Sequence, residues 1–164
     1  MTTDEPPFTE LPWSADVARI IYAVNGRPGL TNVATLLDGA PASLLAAAPD
    51  LFLAVADSME CLENHVATLS SGALRVATLD ALNFAQTAIA RVRVGYPNST
   101  VREHLWTVNP ALPDAEKKAN ARVLDAAADL LRAAHKVYAA LAGHVDNPAV
   151  VDWLSKAILR ADEP

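Results

Sequence analysis

Asp57, Glu60 and Glu63 stand three residues apart in the stretch "ADSMECLEN". On a helix, that spacing brings the three carboxylates to neighbouring positions on one side. A row of this kind either holds a divalent cation with help from a second acidic helix, or presents a negative ridge to a basic partner. Cys61 and His65, four residues apart, would also touch on a helix, but nothing nearby in sequence supplies the third group that orients a nucleophile and its base. The other histidines (His104, His135 and His144) are scattered, with no H-x-x-x-H pair. E-x-x-H pairs, which build carboxylate-bridged di-metal centres in bundles, do not occur. Phosphate-binding glycine loops, nucleophile elbows and metalloprotease motifs are also missing from the sequence.

The cation reading can be tested against a known pattern. All-α nucleotide pyrophosphohydrolases hold magnesium with an E-x-x-E helix followed by an E-x-x-D helix. Glu60-x-x-Glu63 resembles the first half, but Asp80 is the sole acid of the next helical stretch and E-x-x-D occurs nowhere. A solvated acidic face is therefore favoured over a Mg-dependent nucleotide pyrophosphohydrolase.

Composition narrows the class further. The chain has 164 residues, enough for one domain or for two small halves sharing a core. Apolar residues make up 52% while aromatic residues are only 5%, so much of the apolar content is alanine, the best helix former. The single cysteine, Cys61, rules out an internal disulfide framework. No leader is expected in the acidic opening "MTTDEPPFTE". No apolar run is expected to approach the roughly 20 residues that cross a bilayer. A soluble cytoplasmic protein without membrane contact is the expectation. The net charge of −6 is uneven: residues 1–95 carry ten acids against five arginines, and residues 96–164 nine acids against eight bases. Direct nucleic-acid binding is disfavoured, because no basic stripe is present to neutralise phosphates.

The elements that must position these residues follow from periodicity. Residues 1–13, with Pro6, Pro7 and Pro12, read as an extended arm. Ser14 can cap a short helix whose apolar positions are Val17, Ile20, Ile21 and Val24. The rival is a short N-terminal β-hairpin, "RIIYAV" turning at Asn25-Gly26 and returning through "TNVATLL". The helix is preferred, since Pro28 removes a ladder donor. Beyond Pro41, a stripe including Leu44, Leu45, Leu51, Phe52, Val55, Met59 and Leu62 predicts a long helix. Pro49 should break it near Ala48. Ser70-Ser71-Gly72 turns the chain into a helix over about 73–92, and "GYPNS" at 95–99 marks the internal boundary. A helix over about 115–141 follows, capped by Asp114 and ended by Gly143. Pro148 opens the last helix.

The two halves repeat a phrase. "LLAAAPDLF" (44–52) aligns without a gap on "VLDAAADLL" (123–131) at an offset of 79. "TAIARV" (87–92) aligns on "KAILRA" (156–161) at an offset of 69, so the second hairpin has a loop ten residues shorter. The expected architecture is mainly α: two related antiparallel helical hairpins forming a bundle in one compact domain. The first half spans 14–95 with its hairpin at 41–93, and the second spans 96–164 with its hairpin at 114–161. The same hairpins could serve a homodimer.

At these residues the chain resembles short accessory proteins of bacteriophages and prophages. Those carry a module reading approximately "NARLIAAAPDLLEAL", then "ARAAIAKA", often with an upstream "TPLPW" phrase. Here "FTELPW" (8–13), "IYAVNGRPG" (21–29), "NVATLL" (32–37), "LLAAAPDLF" and "QTAIARV" (86–92) occur in that order. "KANARVLDAAADLLRAA" (118–134) matches the central motif a second time, with Asn120-Ala121-Arg122 in place of the "NAR" that the first copy lacks. The resemblance covers about half the chain and implies an origin rather than a reaction. It also supports the hairpin over the helix for residues 19–36.

The functional expectation is a non-enzymatic protein-binding module of phage or mobile-element origin, with no cofactor and no metal. Its partner would be a host protein or complex, such as a defence or CRISPR effector, occluded through an acidic surface. Asp57, Glu60 and Glu63 are the candidate contacts, with Trp13 and Trp106, because tryptophans in proline-bearing connectors can dominate contact energy. A small-ligand or nucleotide-sequestering helical protein is the alternative, ahead of the pyrophosphohydrolase.

Overall fold

The computed structural model describes residues 6–16, 18–24, 26, 32–96, 104–144 and 147–163. Pro28, most of the "GYPNS" boundary and the start of the N-terminal arm lie outside them. The fold is mainly helical, with a small antiparallel sheet of four strands.

Strands β1 (Trp13–Ala15), β2 (Ile20–Ala23), β3 (Asn32–Leu36) and β4 (Trp106–Val108) lie in that order across the sheet. The helix expected from Ser14 is therefore not formed. Its apparent helical spacing is overridden by tertiary pairing: Trp13 sits opposite Ala23, and Ile21 opposite Ala34. Ile21 and Ala23, two apart, are both buried, the period of a strand. A tight turn makes the reversal between β1 and β2. The Asp16 carboxylate accepts from the Ile20 amide at 3.0 Å, and Arg19 takes a positive φ of 63°. The rival pairing, β2 returning through β3, is the one observed. β4 comes from about 70 residues downstream and closes the sheet against β3, with Leu36 opposite Trp106.

Helix α1 (Ala42–Asp57) packs on β1 and β2 with one side and on α4 (Asp114–Leu141) and α5 (Pro148–Ala161) with others. Helix α2 (Met59–Thr68) continues its direction, and Gly72, at φ 105°, turns the chain into α3 (Ala73–Val94). The ranges of α3 and α4 agree closely with the periodicity of the sequence.

Pro49 does not break α1. It lies in the middle of the helix and is buried between Ala48 and Leu51, both of which are fully buried as well. Packing on several sides holds the helix together across one missing backbone hydrogen bond. The irregularity falls nine residues later, at Ser58. There the backbone stays helical (φ −78°, ψ −13°), but the amide is shared between the carbonyls of Ala54 and Val55 at 3.2 Å each. The Ser58 hydroxyl also donates to Ala54 O, the back-bonding that bends helices.

Residues 42–68 together are long and apolar enough, by length and composition, to cross a membrane, contrary to the sequence expectation. Leucine and alanine together supply that apolarity, and 56% of the apolar window is buried inside the fold. The segment is thus built as a core helix.

Candidate functional site

The acidic row is placed by the α1–α2 junction. Because Ser58 keeps helical angles, Asp57, Glu60 and Glu63 run on along one side, and all three are exposed. None of them joins an ion pair among the described residues. Nor does any group of three His, Cys, Asp or Glu side chains among the described residues come close enough to hold a metal ion. Asp80, the acid of the following helix, is engaged by Lys136. What the row offers is uncompensated negative charge.

An apolar groove of about 460 Å³ borders this row, between the α1–α2 junction and α3. Ala56, Met59, Ile89 and Val94 line it, with Arg93 at one end. Ala56 and Met59 each precede one of the acids, and Glu63 lies one turn beyond Met59, so groove and ridge occupy adjoining sides of the same helix. Val94 is 77% exposed, a large apolar side chain left in water.

A second groove, of about 370 Å³, lies between α3 and α4. It differs in that three of its four charged lining residues are paired, Arg132 being the exception among the described residues. Arg91 pairs with Asp129, and the Tyr96 hydroxyl donates to the same carboxylate while its ring lies 4.8 Å from the Arg91 guanidinium. Lys136 pairs with Asp80 and stands 4.5 Å over the Phe84 ring. On the opposite side, Arg160 of α5 pairs with Asp50 of α1. Burial pushes the Asp50 carboxyl above its ordinary range, against the pull of the Arg160 charge and hydrogen bond.

The two tryptophans part company. Trp13 is fully buried; its Nε1 donates to Thr9 O at 3.1 Å, and the Phe8 ring meets it edge-on at 6.3 Å. It belongs to the core, and a contact role would require it to leave that core. Trp106 is half-buried on the edge strand β4, its ring 4.5 Å from that of His104. Sheet pairing separates it from the acidic row, so the five candidate residues do not form one patch.

Cys61 and His65 remain a pair without a third member. Cys61 Sγ accepts from Asn147 Nδ2 at 3.6 Å, and His65 stacks on His144 with 5.8 Å between centroids.

Sequence reasoning missed what the "NAR" tripeptide does. Asn120 is fully buried; its Nδ2 donates to Thr9 Oγ1 at 2.7 Å and its Oδ1 accepts from the Thr9 amide at 3.2 Å. Arg122 donates to Arg93 O at 2.7 Å, meeting a free carbonyl at the end of α3. A polar residue at a core-facing position of the α4 stripe was the available signal. No protein-family model matches the chain, and neither does any curated protein or solved structure.

Proposed function

We propose that this protein is a non-enzymatic binding module whose helices form two related antiparallel hairpins, and that it docks a basic protein surface through the α1–α2 junction. The observation that carries the reading is the juxtaposition of three exposed, unpaired carboxylates with an open apolar groove. A partner segment bearing lysines or arginines beside an apolar side chain would meet both at once. Apolar contact in the groove supplies the burial, and the rim charges supply orientation and association rate. The resemblance to short phage and prophage proteins favours a host protein as that partner, with occlusion of a basic nucleic-acid channel as the mode of action. Trp106 stands as a secondary contact at the sheet edge.

Capture from a host lysate by the tagged full-length chain, followed by mass spectrometry, tests this. A basic protein should be recovered by the wild type and lost with D57N/E60Q/E63Q. Equal recovery by both would sink the acidic-surface reading. A nucleotide-sequestering role has a weaker footing, since the groove between α3 and α4 has most of its charges already paired; a thermal shift with nucleotides would favour it.

A further inference from the structure

The two arginine–aspartate pairs connect residues that the sequence repeat relates to each other. The offset of 79 carries Asp50 onto Asp129, and the offset of 69 carries Arg91 onto Arg160. In the fold these pairs are crossed: the aspartate of each hairpin takes the arginine of the other. Their environments match, with 24% exposure for either aspartate and 31% for either arginine. The apolar positions agree too, since Leu51 and Leu130, Ala54 and Ala133, and Ile89 and Ile158 are all buried.

Helix packing has the same reciprocity. α3 packs chiefly on α4, α5 chiefly on α1, and α1 and α4 pack on each other. Each hairpin's second helix therefore makes more of its contacts with the other hairpin than with its own first helix. Two unrelated surfaces have no reason to match position i with j and j with i. A two-fold, self-complementary interface requires it.

We infer that the inward face of each hairpin is a docking surface for a second copy of the same hairpin, and that this chain encloses two such copies about a pseudo-two-fold axis between α1 and α4. The recognition chemistry is an alanine-rich apolar face flanked by one aspartate on the first helix and one arginine on the second. Because the two faces are equivalent, the hairpins are exchangeable between chains.

Charge reversal in the full-length chain tests exchangeability. In D50R/R160D one crossed pair is inverted but kept, so this chain should retain the solution mass of the wild type. In D50R/R91D one whole hairpin is inverted, so within a single chain the arginine placed at 50 faces Arg160 and the aspartate placed at 91 faces Asp129. Two such chains relieve both clashes by pairing inverted hairpin with inverted hairpin and native with native. The expected result is twice the solution mass of D50R/R160D by light scattering. A folded D50R/R91D chain with unchanged mass would overturn the inference. If that chain yields no folded protein, double-mutant cycles on the two pairs, with Asn and Gln as replacements, decide. Favourable coupling in both supports equivalence, and coupling in only one overturns it.

Discussion

The helices that carry the two copies of the alanine-rich phrase agree where they face each other and disagree where they face solvent. Inward, Leu51 and Leu130 are equivalent and buried, and so are Ala54 and Ala133. Outward, the exposed Asp57 stands where the second copy has Lys136. Lys136 has a partner in Asp80, while Asp57 has none among the described residues. The alanine-rich phrase shared by both halves is thus architecture, set by the need for helices to approach closely. At this matched outward position, the charge left without an ion pair among the described residues is the acid of the first copy.

The largest effects should come from breaking the inward match. Leu51→Ala and Leu130→Ala each remove a fully buried side chain and should cost about 2–5 kcal/mol, by similar amounts. Chemical denaturation of the two variants measures this, and a loss confined to one hairpin would end the equivalence. Next comes a contact that the first hairpin lacks. Asn120→Ala leaves the Thr9 amide without its buried acceptor and should cost about 1–3 kcal/mol. Protection of the Thr9 amide against hydrogen exchange should fall with it; unchanged protection would show that Asn120 does not hold the arm.

A smaller effect, at Asp50, depends on pH. The Asp50 carboxyl is raised above its ordinary range by burial, against the pull of Arg160. The folded state therefore holds that proton more tightly than the unfolded chain does, and the associated stability is fully present below the ordinary carboxylate value. It is lost as the pH rises through the raised value. The wild type should consequently lose stability relative to Asp50→Asn over that interval. A wild type that gains on the variant as pH rises would contradict burial as the dominant influence.

Much of the helical part was legible in the sequence. Stripes with steps of three and four residues located α3 and α4 to within a residue or two, since those helices each bury one face. Two features were not legible. The sheet depends on β4 joining β3 from about 70 residues away, a pairing with no local signature, while the spacing of Ile20, Ile21 and Val24 imitates a helix. Pro49 has a local signature that packing overrides, and the irregularity at Ser58 arises from a serine hydroxyl turned back on its own helix. The acidic row could be read from its spacing alone. That it borders an apolar groove depends on α3, and that Trp13 is withdrawn into the core depends on Phe8 and Thr9.

The most direct test asks whether function follows the outward difference rather than the inward match. Lysate capture should be run with wild type, D50R/R160D and D57N/E60Q/E63Q under identical salt. Three rim charges worth about 0.5 kcal/mol each combine to about tenfold in affinity. The account predicts that D50R/R160D holds the basic partner as the wild type does, while the neutralised chain loses it by about that factor. Retention by the neutralised chain at the wild-type level would contradict it.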